Sequence, residues 1–298
     1  MTPSGRPPAE HPLRPTSSWA SHAAALAAGA VVTAATDRAV TASHRRGTVP
    51  GWTRPNYRGR SVSLTGGASA ALGAGVAATV FAPRGLRLPA AAVAVTAALA
   101  GAYDDLVAPR LERSGDKGWR GHVRALRAGR PSGGVVKVAV IGTGAVVTGR
   151  WCAPSRTAAM PAAALIAGTA NVVNLFDLRP GRAGKVVTVL AATLLRGPTG
   201  AVAAAVLGAA LAELPGDLRE TRMLGDIGAN PLGALLGLRL AGSRSSVRWA
   251  ALAVLTVLTA ASERVSFTRV IARFAPLRAL DEWGRAARVN PADVSPPT

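Results

Sequence analysis

Three short segments of the 298-residue chain carry residues whose types and spacing could do chemistry. Ala102-Tyr103-Asp104-Asp105-Leu106 ends an apolar run on adjacent carboxylates. Asn171-Val172-Val173-Asn174-Leu175-Phe176-Asp177 sets two amides about one helical turn apart and closes on an acid. Met223-Leu224-Gly225-Asp226-Ile227-Gly228 holds an aspartate between glycines where another apolar run begins. Carboxylates from separate helix ends suit a hard divalent cation, because Mg²⁺ takes oxygen ligands, usually one or two carboxylates completed by phosphates and waters. A metal there would offset the charge of a diphosphate and polarise a phosphorus under attack. The glycines would let backbone approach phosphate, and a helix starting at Asp226 offers its positive dipole end to an anion.

Each segment also has a plainer use. Asp104 and Asp105 could stop a helix at a polar interface, and Asp226 could serve as an N-cap. Asn171 and Asn174 share a helical face and could bond between helices. Asp177 could pair locally with Arg179 or Arg182.

The elements that must position these residues are apolar. Hydrophobic residues make up 49% of the chain and charged ones 17%. Nine apolar runs, at 18–37, 63–83, 86–103, 134–150, 157–174, 183–195, 199–215, 228–241 and 247–262, alternate with short polar connections. The pattern predicts an all-α, polytopic integral membrane bundle of about nine to ten transmembrane helices. Residues 1–17 read as a polar, Pro-rich disordered tail without signal-peptide order. Residues 263–298 read as a basic amphipathic tail lying on the membrane surface.

A net charge of +20 could suggest nucleic acid, but the basic residues sit in blocks between apolar runs, as cytoplasmic loops require. Nucleic acid is therefore excluded as a partner, and anionic membrane lipids are expected. The same rule places the loops holding Asp104, Asp105, Asp177, Asp217 and Asp226 on the cytoplasmic side. Lys117-Gly118-Trp119-Arg120 and the following residues read as an interfacial helix, with Lys117 also a candidate for gripping a diphosphate. Lys137 and Glu213, inside or beside apolar runs, are assigned to no site; Lys137 can snorkel to the interface. With a single cysteine, Cys152, an intramolecular disulfide is impossible.

In order and spacing these segments resemble the polyprenyl-phosphate N-acetylhexosamine-1-phosphate transferase superfamily (glycosyltransferase family 4). The likeness runs from Asn56-Tyr57-Arg58-Gly59-Arg60 and Thr65-Gly66-Gly67 through Asp104-Asp105 to Asn171–Ala183 and Gly225–Gly228. It implies transfer of a sugar-1-phosphate from a nucleotide sugar, expected to be UDP-linked, to a polyprenyl phosphate at the cytoplasmic face of a bacterial inner membrane, initiating a lipid-linked envelope glycan. It further implies Mg²⁺, with Mn²⁺ as an alternative, held by Asp226 and Asp104. Asp104, Asp105 and Asp226 are the implied catalytic residues, and Asn171, Asn174, Asp177, Gly66, Gly67 and Lys117 the implied substrate contacts. A homodimer is compatible with this reading.

The chain departs from that pattern in two places. Where the family commonly reads Asn-Leu-x-Asp-Gly-Leu-Asp-Gly, this sequence reads Asn174-Leu175-Phe176-Asp177-Leu178-Arg179-Pro180-Gly181, so Pro180 replaces the aspartate associated with the base. The family's late histidine cluster is replaced by Glu263-Arg264-Val265-Ser266-Phe267 and the basic tail. A relative that keeps the fold but serves as a scaffold in envelope assembly is the alternative. A transporter is disfavoured, since the acids lie at helix ends rather than at the midplane.

Overall fold

The computed structural model describes residues 19–46, 52–111, 124, 127–129, 132–153 and 155–286. The expected tail at 1–17, and Lys117 to Arg120 of the expected interfacial helix, lie outside them. Each of the nine apolar runs forms a helix: α1 (Trp19–Arg45), α2 (Thr65–Phe81), α3 (Arg84–Ala102), α4 (Gly133–Cys152), α5 (Arg156–Phe176), α6 (Arg182–Thr193), α7 (Gly200–Leu218), α8 (Gly225–Ala241) and α9 (Ser245–Ser262). A π-helical turn, Tyr103–Val107, and a further turn, Ala108–Leu111, continue α3.

Among the described residues, six helices are long and apolar enough to cross a membrane: α1, α3 with its extension, α4, α5, α7 and α9. The chain is thus a helical membrane protein. The remaining three fall short of the nine to ten spans expected. With 17 residues in α2, 12 in α6 and 17 in α8, a rise of 1.5 Å per residue gives α6 only ~18 Å against a hydrocarbon core of ~30 Å. For α8 the shortfall has a physical reason. It is enclosed by α2, α3, α5 and α7 and buried along nearly its whole length, so it meets protein rather than lipid and tolerates Asp226, Asn230, Pro231 and Arg239. Arg239, buried near its far end, donates to the carbonyls of Leu194 and Arg196, which follow α6. Leu194 is the C-cap of α6, whose carbonyls lack intrahelical donors.

Small residues let these helices approach closely, as expected where association cannot draw on water. The core is built mainly from alanines of α2, α3, α5 and α7 together with leucines of α8. Gly237 lies against α5, where an added Cβ would fall 2.5 Å from the Leu165 carbonyl oxygen.

One element outside the all-α expectation is a hairpin of β1 (Thr53–Pro55) and β2 (Ser61–Ser63), antiparallel with Thr53 opposite Ser63. It is tied to the loop after α7, since Met223 N donates to the Ser63 carbonyl at 2.9 Å and Ser63 N to that of Thr221 at 3.3 Å.

The C-terminal segment forms α10 (Phe267–Arg273) and α11 (Ala275–Glu282). Leu277, Leu280 and Trp283 are exposed, and the segment is docked to the bundle by polar bonds. Arg182 Nε and its terminal nitrogen donate to the two oxygens of Asp281 at 2.7 and 3.0 Å, and Ala286 N donates to the Leu218 carbonyl at 3.0 Å. Burial opposes ionisation of Asp281, but Arg182 and Arg285 outweigh it and hold the carboxyl below its ordinary value.

Two predictions follow from this architecture. Gly237→Ala should cost about 1–3 kcal/mol by overpacking, whereas Gly85→Ala, with open space around it, should be close to neutral; unfolding by SDS titration in detergent compares them. Because the Asp281 carboxyl ionises below its ordinary 3.8, its tie to Arg182 is fully present above that value and is lost as pH falls through the lower folded value. Hydrogen exchange of residues 267–286 should therefore be protected at neutral pH and accelerate only in strong acid, and unchanged protection across that range would refute the tie.

Candidate functional site

The π-helical turn that ends α3 carries Asp104 and Asp105, and successive residues on a helix point about 100° apart. The two carboxylates accordingly serve different neighbours. Asp104 faces α4, where Lys137 Nζ donates to its Oδ2 at 2.9 Å. The same ammonium also donates to Asp226 Oδ2 from the first turn of α8. Asn174, near the end of α5, completes the group: with its amide oriented to satisfy both neighbours, its nitrogen donates to Asp226 Oδ1 at 2.9 Å and its oxygen accepts from Lys137 at 3.3 Å. Four helices thus deliver one side chain each to a single charged junction.

Asp105 points the other way and is nearly inaccessible. Its Oδ1 accepts from Arg54 of the hairpin at 2.9 Å, and its Oδ2 from the backbone N–H of Ile227 at 2.9 Å. It thereby satisfies one of the free amides at the start of α8. This bond requires Gly225, whose left-handed backbone (φ +58°) would bring any Cβ within 2.6 Å of that same oxygen. Asp105 fixes the turn on which Asp226 stands.

Beside the junction lies a smaller cavity of about 130 Å³ lined by Asp177, Asp217, Arg54, Tyr57 and Arg179 among others. Burial, followed by the carboxylates of Asp217, Asp226 and Asp105, holds the Asp177 carboxyl well above its ordinary pKa. Asp217 is buried with one oxygen lacking a hydrogen-bond partner. Arg179 stacks over the Tyr57 ring, 3.9 Å from its centroid.

The structure therefore gathers Asp104, Asp226 and Asn174, with Asp105 buttressing and Asp177 in the adjoining cavity. It separates the others. Asn171 donates to Thr259 of α9 at 3.1 Å, joining two helices. Gly66 and Gly67 open onto no ligand space, because a Cβ would meet the Glu213 carboxylate at 2.0 Å or the Leu224 carbonyl at 1.7 Å; they are contact points of α2 with its neighbours. Lys117 lies outside the described residues. Lys137, read as a snorkelling lysine, is instead the centre of the junction, and its position four residues into α4 at the same end as Asp104 was the available signal. Asp217, following Pro215-Gly216 at the end of an apolar run, carried a similar one.

Whether these groups suit a divalent cation can be judged from the donors. Among the described residues no three His, Cys, Asp or Glu side chains are grouped as a metal site. Two carboxylates do converge on one cation position, which is sufficient for Mg²⁺ when phosphate and water supply the remaining ligands. Here Lys137 takes that position, and its flexible stem would have to turn aside. The donor set fits on that condition.

Fold and junction together define a polytopic helical membrane protein with a charged centre at one end of its bundle. Comparison with known proteins found no matching family model, curated protein or solved structure.

Removing one partner of a fully buried ion pair costs about 3–5 kcal/mol. The side chains here keep 16% to 25% exposure, so Lys137→Met should cost less, about 1–3 kcal/mol. Mg²⁺ should recover part of the thermal midpoint by replacing the ammonium between the carboxylates, and Lys137→Met/Asp226→Asn should lose that recovery. A Mg²⁺ response identical in both variants would show that Asp104 and Asp226 do not share a cation position.

Proposed function

We propose that the chain transfers a sugar-1-phosphate from a nucleotide sugar to a polyprenyl phosphate at the cytoplasmic face of a bacterial inner membrane. The observation that carries this reading is the meeting of Asp104, Asp226, Lys137 and Asn174 at one end of an apolar bundle, where a lipid-borne phosphate and a water-soluble diphosphate could both arrive. Its order of motifs resembles the polyprenyl-phosphate N-acetylhexosamine-1-phosphate transferases, and the cavity beside it combines an aromatic ring with arginines.

In this reaction an oxygen of the carrier phosphate attacks the β-phosphorus of the nucleotide sugar. The bond from that phosphorus to the bridging oxygen breaks, and the pair leaves with the nucleoside monophosphate. The carrier becomes a polyprenyl diphosphate sugar. A phosphate monoester has its second pKa near ~6, so it arrives largely ionised and no aspartate need remove a proton. When bound, a divalent cation held by Asp104 and Asp226 would neutralise charge on the diphosphate. Lys137, turned out of the carboxylate pair, meets the phosphate oxygens, and Asn174 keeps Asp226 oriented. Arg54 and Arg179 draw the anionic nucleotide to the junction, while Asp105 holds α8 in register.

One observation favours a second reading, a membrane scaffold without turnover: Lys137 already neutralises the acidic pair. The two separate in a single assay. Purified protein given polyprenyl phosphate, Mg²⁺ and a panel of nucleotide sugars should yield nucleoside monophosphate and lipid-linked sugar in equal amounts. Asp226→Asn should lower the rate at least ~10²-fold, as loss of a charge-stabilising group does, while the variant stays folded. Absence of turnover on every nucleotide sugar would leave the scaffold, and full activity of Asp226→Asn would remove that residue from the site.

A further inference from the structure

Beneath α10 and α11 lies a chamber of about 540 Å³, larger than the cavity beside the acidic junction, and none of Asp104, Lys137 or Asp226 lines it. Arg58, Arg179, Arg182, Arg278 and Arg285 face it against only two carboxylates, Asp281 and Glu282. Asp281 is taken up by Arg182 and Arg285, at 2.7 and 3.1 Å, and Arg58 pairs with Glu220 at 2.7 Å. Arg179 and Arg278 have no carboxylate partner among the described residues; the first rests on Tyr57 and the second reaches only the Ala272 carbonyl at 3.4 Å. Such an excess of guanidinium groups around a cavity calls for a phosphate-bearing ligand, since their donors match its oxygens.

A second cavity continues the first, sharing Arg182, Ile271 and Asp281 with it. This groove of about 390 Å³ is apolar, walled by Phe176, Leu258, Phe267, Val270, Leu277 and Leu280. It adjoins α9, none of whose residues is buried. A soluble nucleotide in the chamber would leave these walls in contact with water, whereas an acyl chain would cover them. The exposed Leu280 and Trp283 of the C-terminal helices suit the same headgroup level.

We propose that the two cavities form one lipid site, in which the phosphate of an anionic phospholipid sits in the arginine chamber and one acyl chain lies in the groove between α9 and the C-terminal helices. Basic pockets beside membrane helices hold anionic headgroups in this manner. The site shares Tyr57 and Arg179 with the cavity beside the junction but not Asp104, Lys137 or Asp226, and its test reads lipid retention without turnover, so it can fail while the transferase reading stands.

The intact protein is reconstituted in phosphatidylcholine nanodiscs containing a minor share of phosphatidylglycerol, and retained lipid is counted by native mass spectrometry. The wild type should retain phosphatidylglycerol in preference to phosphatidylcholine. Arg179→Ala/Arg278→Ala should lose roughly ten- to thirty-fold of that preference, on the scale of two basic contacts. Leu277→Glu, which alters only the groove, should also weaken retention, and the single exposed change Arg278→Glu serves if the double variant does not fold. Equal retention of the two lipids, or unchanged preference in Arg278→Glu, would overturn the site. Displacement of the lipid by free uridine diphosphate would overturn it in favour of a soluble nucleotide.

Discussion

A carboxylate at the edge of an apolar bundle needs a cation, and two of them facing one another need it more. Lys137 meets that requirement for Asp104 and Asp226 together. Without it the ends of α3 and α8 would carry unbalanced negative charge in a poorly solvated space, where repulsion is weakly screened. Much of the local architecture serves the same balance: Arg54 answers Asp105, Arg222 answers Glu213 and Asp37, and Arg58 answers Glu220. These pairs bind the hairpin to the turn after α3 and to the loop after α7, and that loop to α1 and α7; Asp105 adds the start of α8 through Ile227 N, so the turn bearing Asp226 is held from several sides.

That unit could not form if the helices stood at ordinary spacing. The absence of side chains at Gly67, Gly101 and Gly228 allows α2, α3 and the first turn of α8 to touch through their backbones. At Gly101 an added Cβ would fall 2.2 Å from the Asp226 carbonyl oxygen, so the packing contact and the chemical group occupy the same turn. Helix proximity and site geometry are therefore one constraint, and a substitution made to probe one will disturb the other.

The nine helices were legible because each apolar run is bounded by prolines, glycines or charges, and the periodicity needed no tertiary information. Their number as membrane spans was not, because burial inside the bundle exempts α8 from the length that lipid imposes. Among the site residues, Asp104, Asp226 and Asn174 could be grouped from their common position at one end of the bundle. Lys137 could not be assigned by the same logic, since a lysine near a helix end has an adequate explanation in snorkelling and its two partners lie 33 and 89 positions away. Gly66 and Gly67 were substrate contacts only through the family resemblance; small residues equally mark a helix crossing, and the neighbouring backbone shows that crossing.

Pro180 anchors the C-terminal segment through its backbone. Proline offers no side-chain acceptor, and it is the Pro180 carbonyl that receives Arg285 from the C-terminal segment at 3.2 Å. The next residue, Gly181, turns in the left-handed region (φ +73°) before α6 begins with Arg182, which Asp281 of the same C-terminal segment clamps. The turn between α5 and α6 is thereby an anchor for the C-terminal segment. Tail and turn also share one surface: Arg278 and Arg285 line the same cavity as Tyr57 and Arg179, so the docked segment adds positive charge where the turn before α6 meets the hairpin.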